Sequence, residues 1–263
     1  MRADTYLVQN GYAASRTLAQ KLIVEGAVQV DGRTVRKPSE EISEGEHTVV
    51  VQATADTRYV GRGGLKLEAA LTAFPVKVGG CAVADIGAST GGFTDCLLQN
   101  GAARVYAIDA GHGQLHPRLS ADPRVRSAEG VNARNLTAEH LLAIESAWQA
   151  SHPTLPPVSF DGYVDGGVMD VSFISQTLIH AALARIIRRD GWLISLIKPQ
   201  FELTRSALDK KGIVKRDRDR QVAVENVLAS ARLWGFEAVS VIPSPIEGGD
   251  GNREFLAYFV KKV

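Results

Sequence analysis

The sequence predicts an α/β protein in which a small α+β domain precedes a Rossmann-like domain with a mostly parallel, seven-stranded sheet. Three observations predict this fold. From residue 78 onward, apolar strand-like runs alternate with helical patterns, which is typical of a parallel sheet covered by helices on both faces. A glycine-rich turn joins the first of these strands to a helix. Before residue 60, two short helical patterns and one hairpin signal form a separate group.

Composition is that of an ordinary globular protein, with 45% apolar and 22% charged residues among 263. No apolar run approaches the roughly 20 residues that a membrane helix needs, and the first residues lack the regions of a signal peptide. We therefore expect a cytoplasmic protein that does not engage membranes. Cys81 and Cys96 lack metal-type spacing, and His112 and His116 lack a third ligand, so no metal is expected.

The amino-terminal group begins with the helical patterns TYLVQNGYA and SRTLAQKLIVEG. Ser15 is placed to cap the second helix, and Gly26 follows its end. The run AVQVDGRTV alternates around Asp31 and Gly32, a strong signal for a two-residue hairpin. The polar stretch QATADTR is expected to be linker-like. The predicted boundaries are 1–57 for this domain, 58–66 for a linker and 67–263 for the α/β domain.

Basic residues are gathered in patches although the net charge is only +1. Phosphate contacts of this kind position an RNA without reading its sequence, and structured RNA is recognised mainly by shape and backbone. The residues predicted to contact an RNA backbone are Arg16, Lys21, Arg33, Arg36, Lys37, Arg58 and Arg62. A further basic run spans 204–220. The alternative is that each run is simply a solvated face.

The larger domain is expected to contain seven strands separated by turns and helices. In order, the predicted strands are CAVADIG, ARVYAIDA, VRSAEGV, FDGYVDGGVMDVSF, GWLISLIK, FEAVSVIPSPI and REFLAYFVKKV. The predicted helices between them include GGFTDCLLQNG, SQTLIHAALARIIRRDG and RQVAVENVLASARLWG. Because ligands of such sheets bind outside the carboxyl ends of the strands, the residues that follow each strand are the candidates for function.

The turn VADIGASTGGFTD, residues 83–95, has the spacing D-x-G-x-x-x-G-G. This spacing differs from the dinucleotide pattern and is typical of S-adenosylmethionine sites in Rossmann-like methyltransferases. Asp109, at the end of the second strand, is expected to accept hydrogen bonds from ribose hydroxyls. Asn132 is placed either to contact the adenine or to cap a helix. The residues predicted to bind the cofactor are Asp85, Gly87, Ala88, Ser89, Gly91, Gly92, Phe93, Asp109, Asn132 and Asp170.

Five motifs, RGGLKLEAAL, DIGASTGGFTD, DVSFIS, IKPQFE and GNREF, occur in the order found in the haemolysin-A (TlyA) family. Over nearly its whole length the chain resembles that family. Its amino-terminal part is similar to the S-four-type RNA-binding domain, and its larger part resembles FtsJ-type RNA 2′-O-ribose methyltransferases. The resemblance implies S-adenosyl-L-methionine as cofactor and ribosomal RNA or ribosomal subunits as partner.

The resemblance also implies a catalytic tetrad of Lys66, Asp170, Lys198 and Glu254. A ribose hydroxyl is a poor nucleophile, so Lys198 is the predicted base that removes its proton, while the two carboxylates orient the amines. The alternative is that Lys198 and Asp170 form a plain ion pair that closes the sheet. The stretch from Asp165, DGG, interrupts the apolar strand usual in the family, and we expect it to loosen this strand or displace Asp170.

The sequence thus predicts an S-adenosylmethionine-dependent 2′-O-methyltransferase of ribosomal RNA. Three alternatives stay open: an RNA-binding protein with a vestigial methyltransferase fold, a methyltransferase for proteins or small molecules, and a membrane-lytic haemolysin. The last is suggested only by the family's name.

Overall fold

The computed structural model describes residues 1–13, 15–43, 45, 47–51, 58–249 and 251–263. The chain divides into two compact units, Met1–Arg58 and Tyr59–Val263. Of the polar stretch QATADTR, only Arg58 falls inside the described residues. The segment predicted as a linker, 58–66, belongs to the second unit from Tyr59 onward, and its last four residues are the first turn of a helix.

The first unit contains two helices and a small antiparallel sheet. Its elements are α1 (Ala3–Gln9), α2 (Arg16–Val24), β1 (Val28–Val30), β2 (Arg33–Thr34) and β3 (Val49–Val51), with sheet order β2-β1-β3. Ser15 caps α2, since its Oγ accepts a hydrogen bond from the backbone N–H of Leu18 at 3.2 Å. Asp31 and Gly32 have φ angles of 52° and 79°, as a two-residue hairpin turn requires. The predicted cap and the predicted hairpin are both confirmed.

The second unit is an α/β fold with one seven-stranded sheet. Its elements are α3 (Gly63–Ala73), β4 (Ala82–Ile86), α4 (Gly92–Gln99), β5 (Arg104–Ile108), α5 (Pro117–Ser120), β6 (Val125–Ala128), α6 (Ala138–Ser151), β7 (Val164–Met169), α7 (His180–Ile186), β8 (Ile187–Ile197), α8 (Pro199–Glu202), α9 (Asp217–Leu233), β9 (Phe236–Pro243) and β10 (Phe255–Lys261). The strand order is β6-β5-β4-β7-β8-β10-β9. Strand β10 runs antiparallel to both of its neighbours, β8 and β9, and the other neighbouring strands pair parallel. The predicted sheet is confirmed.

Side chains alternate between the two faces of this sheet, as the period of a strand dictates. In β4, Val83 joins a core that includes Leu67 of α3 and Leu97 of α4, while Ala84 joins a second core with Leu183 of α7. Helices therefore cover both faces, and the carboxyl ends of the parallel strands are left free to form a site.

The glycine-containing stretch 165–167 lies within a continuous strand, so the expectation that it loosens this strand is wrong. A methyl group at Gly166 would lie 2.1 Å from Cε2 of Trp192, so the glycine lets the indole pack against the backbone. Asp165 accepts a hydrogen bond from the backbone N–H of Ala82 at 2.8 Å. The pairing of β7 with β8 shifts register once, but Asp170 still follows β7 directly, with its N–H bonded to the carbonyl of Ile86 at 2.9 Å.

Helix α7 is shorter than the pattern SQTLIHAALARIIRRDG indicates, because its last five residues are the start of β8. The buried amine of Lys261 donates hydrogen bonds to the carbonyls of Ala184 and Ile187, at 2.5 and 2.6 Å, and so satisfies the end of the helix. These contacts join residues more than 70 positions apart, so a local pattern does not show them. Helix α6 was not predicted.

Candidate active site

The glycine turn after β4 is shaped by close backbone approach. Gly87 has a φ of 81°, and a Cβ there would lie 2.7 Å from the carbonyl oxygen of Asp170. Gly91 has a φ of 96°, and its Cβ would overlap the side chain of Leu119. Both positions therefore require glycine for the conformation and for packing against neighbouring segments.

Two adjoining cavities lie at the carboxyl ends of the parallel strands. The larger has a volume of 380 Å³, and five predicted cofactor residues line it: Gly87, Ser89, Asp109, Asn132 and Asp170. The smaller has a volume of 180 Å³ and is lined by the predicted Ala88, Gly92 and Phe93 together with Lys198. Asp85 and Gly91 line neither cavity.

Asp109 connects the turn to the end of β5. Its Oδ2 accepts a hydrogen bond from the N–H of Ser89 at 2.8 Å, and its Oδ1 accepts one from the N–H of Gly111 at 2.7 Å. Each carboxylate oxygen has two lone pairs, so each retains capacity for a ribose hydroxyl. Asn132 caps the short helix 133–135 through Oδ1, which accepts from the N–H of Arg134 at 3.1 Å. Its amide nitrogen donates to none of the described residues and can therefore contact a ligand.

Asp85 supports the turn from inside the protein. Its side chain is fully buried, and its Oδ2 accepts a hydrogen bond from the hydroxyl of Thr94 at 2.6 Å. Oδ1 has no partner within the described residues. Burial raises the pKa of Asp85 to about 7, the hydrogen bond from Thr94 opposes this rise, and the negative charge of Asp170 adds to it.

The larger cavity fits the expected cofactor, S-adenosylmethionine. A nucleoside needs a carboxylate for its ribose diol, and Asp109 provides one at the end of β5. A planar base needs apolar walls and an edge contact, which Val131, Ile179 and the amide of Asn132 provide. The cavity also reaches Asp170, which lines the smaller cavity as well, so a group bound in the larger one is next to the lysine site.

The four residues of the predicted tetrad form two ion pairs. Nζ of Lys198 lies 2.6 Å from Oδ1 of Asp170, and Nζ of Lys66 lies 2.5 Å from Oε2 of Glu254. The antiparallel ladder between β10 and β8 pairs Phe255 with Ile197, so Glu254, just before β10, and Lys198, just after β8, lie at the same end of the sheet. The structure therefore brings all four residues to one edge of the sheet, and their catalytic assignment stays a prediction.

The Asp170–Lys198 pair faces open space. Both residues line the smaller cavity, and their side chains are 21% and 11% exposed. The Lys66–Glu254 pair is more enclosed, with side chains 10% and 3% exposed. An ion pair whose only task was to close the sheet would not need to line a cavity beside a nucleoside site, and this arrangement favours a chemical role for Lys198.

Three residues of the site were not predicted. Nζ of Lys198 donates a hydrogen bond to Oγ of Ser172 at 2.7 Å. Phe173 is 92% exposed, has a φ of 64°, and lies 5.2 Å from the ring of Phe201 between centroids. Glu202 accepts hydrogen bonds from two residues of the same loop, and burial raises its pKa. The motifs DVSFIS and IKPQFE contain these residues, but nothing in their spacing indicates that the two segments pair.

The loop between β5 and α5 is organised by another unpredicted carboxylate. Glu129 accepts hydrogen bonds from the N–H groups of Gly113 and Gln114 at 2.6 and 3.1 Å, and these bonds lower its pKa. The Gln114 side chain accepts a hydrogen bond from the hydroxyl of Ser89 at 3.0 Å. Glu129, which directly follows β6, therefore holds in place the wall of the larger cavity that contains Gln114 and Ser89.

The basic residues predicted on the first unit are partly neutralised within that unit. Nε of Arg16 lies 3.0 Å from the buried carboxylate of Asp4. Hydrogen bonds from Arg2, with further ones from Gln20 and Arg16, hold the pKa of Asp4 well below its usual range. Lys21 lies 3.9 Å from Glu25. Arg16 thus helps to hold the first unit together. Its contact with Asp4 spans 12 positions of the sequence, so the local pattern around Arg16 does not indicate it.

The remaining predicted basic residues differ in how exposed their charges are. Arg33 forms an ion pair with Glu40 at 2.6 Å. The side chains of Arg36 and Lys37 are exposed and form no ion pair with any described residue. Arg58 and Arg62 are also exposed. Arg36 and Lys37 are therefore the hairpin charges most available to a phosphate backbone.

No helix within the described ranges is both long and apolar enough to cross a membrane. Among the residues that the structure describes, no group of three or more His, Cys, Asp or Glu side chains is arranged to hold a metal ion.

Comparison with known proteins divides the chain in the same way as the fold. The family model described as FtsJ-like methyltransferase matches residues 59–261. The model described as S4 domain matches residues 1–47.

Relatives match almost the entire chain. Hemolysin A of Brachyspira hyodysenteriae is 39% identical over 260 residues, which cover 99% of this chain and 100% of that protein. The 16S/23S rRNA (cytidine-2'-O)-methyltransferase TlyA of Mycobacterium tuberculosis is 39% identical over 260 residues, covering 98% of this chain and 88% of that protein. A solved structure of a hemolysin-like protein from Streptococcus thermophilus is 38% identical, with a TM-score of 0.71, and the match covers 100% of this chain and 88% of that one.

Proposed function

This chain belongs to the FtsJ-like methyltransferase family, and on that premise we propose that it methylates a ribose 2′-hydroxyl of ribosomal RNA. S-adenosylmethionine is the cofactor, and the larger cavity is where its nucleoside would bind. The relative from Mycobacterium tuberculosis is named as an rRNA (cytidine-2'-O)-methyltransferase, and the S4 domain is the RNA-binding part. Ribosomal RNA or ribosomal subunits are the partners, and the cytoplasm, where these are made, is the proposed location.

The observation that carries this proposal is the position of the Lys198 amine. Nζ of Lys198 is held by Asp170 at 2.6 Å and by Ser172 at 2.7 Å, and all three residues line the smaller cavity. That cavity shares Asp170 and Ser172 with the cofactor cavity. A ribose placed in the smaller cavity would therefore lie beside Lys198 and next to the cavity that fits the cofactor.

When bound, S-adenosylmethionine would supply an electrophilic methyl group on a positively charged sulfur, with that sulfur as the leaving group. Lys198 accepts the proton of the 2′-hydroxyl as the oxygen attacks the methyl carbon, and Asp170 stabilises the ammonium that forms. Most of the remaining acceleration comes from holding the oxygen in line with the methyl group.

The Lys66–Glu254 pair supports the site through the position of α3. Gly63, one turn before Lys66, lines the smaller cavity, and a Cβ there would lie 3.7 Å from Oδ2 of Asp170. The ion pair ties this helix to the start of β10 at 2.5 Å. It therefore fixes one wall of the cavity in which the ribose would sit.

RNA binding rests on phosphate contacts made by exposed basic residues. We propose Arg36 and Lys37 as the main contacts of the hairpin, with Arg58 and Arg62 assisting. Arg16, Lys21 and Arg33 already have acidic partners, so any phosphate they bind must share or replace these. Contacts of this kind suit structured ribosomal RNA because they read backbone shape.

The experiment that tests the proposal is transfer of labelled methyl groups from S-adenosylmethionine to ribosomal subunits and to naked ribosomal RNA. The labelled RNA is digested to nucleosides, and a 2′-O-methyl nucleoside is the expected product. Label on a base, or on protein or small molecules alone, would contradict the proposal. Cofactor binding without any transfer would favour an RNA-binding protein with a vestigial fold instead.

A further inference from the structure

Ser172 lines both cavities and accepts a hydrogen bond from the predicted base, Lys198. We propose that Ser172 is a positioning residue, which directs the lone pair of the Lys198 amine at the ribose hydroxyl. This inference rests on the proposed function, with Lys198 as the base. Ser172 is outside the predicted tetrad.

A lysine amine acts as a base only when its lone pair points at the proton. The neutral form that can take a proton has two N–H bonds and one lone pair in a tetrahedral arrangement. Among the described residues, Nζ of Lys198 donates one hydrogen bond, to Oγ of Ser172 at 2.7 Å. Oδ1 of Asp170 lies 2.6 Å from Nζ as an ion-pair partner, but it accepts no hydrogen bond from the described residues. The bond to Ser172 therefore sets the rotation of the amine about its Cε–Nζ bond, and with it the direction of the lone pair.

The hydroxyl of Ser172 can fulfil this role because its loop is anchored at both ends. Before it, the N–H of Asp170 bonds the carbonyl of Ile86 at 2.9 Å. After it, Glu202 accepts a hydrogen bond from the hydroxyl of Ser175 at 2.5 Å and one from the N–H of Gln176 at 3.0 Å. The acceptor therefore has a fixed position before any substrate arrives, which is what preorganisation requires.

Its position also matches the direction that the lone pair must take. Four residues line both cavities, and two of them contact the Lys198 amine: Asp170 as an ion-pair partner and Ser172 as a hydrogen-bond acceptor. Both contacts of the amine therefore lie at the boundary between the larger and the smaller cavity. The lone pair of the amine is directed into the smaller cavity, which Lys198 itself lines.

In the step itself, Ser172 changes neither its charge nor its bonds. The 2′-hydroxyl gives its proton to the lone pair of Lys198, and its O–H electron pair stays on the oxygen. An oxygen lone pair forms the new O–C bond and the C–S electron pair stays on the sulfur. The resulting ammonium keeps its hydrogen bond to Ser172 and its ion pair with Asp170. The ammonium later returns its proton to solvent.

The test compares Ser172→Ala with Ser172→Thr in single-turnover methyl transfer to ribosomal RNA. We expect Ser172→Ala to lower the transfer rate about tenfold, equivalent to about 1.4 kcal/mol in the barrier. Its affinity for S-adenosylmethionine and its KM for RNA should stay within twofold of wild type, because the hydroxyl acts through Lys198. Ser172→Thr, which keeps a hydroxyl, should recover most of the rate.

Ser206→Ala is the matched control, because it removes a serine hydroxyl that lines neither cavity and contacts only Thr204 among the described residues. The inference is overturned if Ser172→Ala transfers methyl groups at the wild-type rate. It is equally overturned if the alanine and threonine variants are impaired alike, or if Ser206→Ala loses as much as Ser172→Ala. Failure of the wild-type protein to methylate RNA would instead refute the proposed function.

Discussion

Removal of one partner of the Lys66–Glu254 ion pair should destabilise the methyltransferase unit far more than removal of both. The side chains are 10% and 3% exposed, and Nζ lies 2.5 Å from Oε2. Lys66→Met leaves a buried carboxylate without its cation, and Glu254→Leu leaves a buried ammonium without its anion. The double variant leaves neither charge.

The expected magnitudes follow from this burial. Breaking a buried pair by removing one partner costs about 3–5 kcal/mol, whereas replacing both partners by apolar residues of similar volume is roughly neutral or stabilising. For a unit of this size each kcal/mol shifts the melting temperature by about 2–4 °C, so each single variant should melt about 6–20 °C lower. The double variant should melt near the wild type.

Tryptophan fluorescence is a suitable assay because all three tryptophans, Trp148, Trp192 and Trp234, lie in the second unit. Unfolding in urea monitored by this signal reports on that unit alone, and the same samples are assayed for methyl transfer. The double variant should be folded yet at least tenfold slower, because the wall formed by α3 loses its fixed attachment to β10.

Two results would refute this reasoning. If Lys66→Met alone costs less than about 1 kcal/mol, the pair behaves as a solvated surface bridge. If the double variant is as unstable as the singles, the destabilisation comes from packing and not from an unpaired charge.

Three further predictions concern other parts of the molecule. The pKa of Asp85 is raised to about 7, so this carboxyl should lower the free energy of unfolding by about 3 kcal/mol as pH rises from 4 to 7, and Asp85→Asn should remove that contribution. Gly166→Ala, whose Cβ would lie 2.1 Å from Trp192, should lower the free energy of unfolding in urea by about 1–3 kcal/mol. Arg36→Ala combined with Lys37→Ala should make the salt dependence of RNA binding less steep by about one to two units of slope, without changing cofactor affinity.

Each of these predictions has a result that would contradict it. For Asp85, the sign follows from proton binding: between pH 4 and 7 the folded state keeps a proton that the unfolded state has lost, so a stability that rises over this range would be opposite to expectation. An unchanged unfolding midpoint for Gly166→Ala would show that the indole can move aside. An unchanged salt slope for the hairpin variant would place the phosphate contacts elsewhere.

Features that depend on neighbouring residues were predictable from the sequence. The cap at Ser15 and the hairpin at Asp31 and Gly32 follow from side-chain chemistry and backbone conformation within a few residues. The order of the seven strands along the chain follows from hydrophobic alternation in the same way. The segment 58–66 was predicted as a linker, but its last residues begin α3, which approaches α4 closely: a Cβ at Gly92 would lie 3.0 Å from the backbone nitrogen of Gly64.

Features that depend on distant partners were not predictable. Arg16 pairs with Asp4 only when α1 and α2 are packed together in the folded unit. A residue predicted to contact RNA therefore has a structural ion pair within its own unit. The glycine at 166 was expected to weaken its strand, but its partner is an indole 26 residues away. Ser172 and Glu202 acquire their roles only because two loops meet beyond the sheet.

Single-turnover methyl transfer with Lys198→Ala would show whether Lys198 removes the ribose proton. We expect a rate about 10²–10⁴-fold below wild type, the usual contribution of a general base, with unchanged affinity for S-adenosylmethionine and an unchanged unfolding transition. A folded variant that methylates ribosomal RNA at the wild-type rate would contradict it.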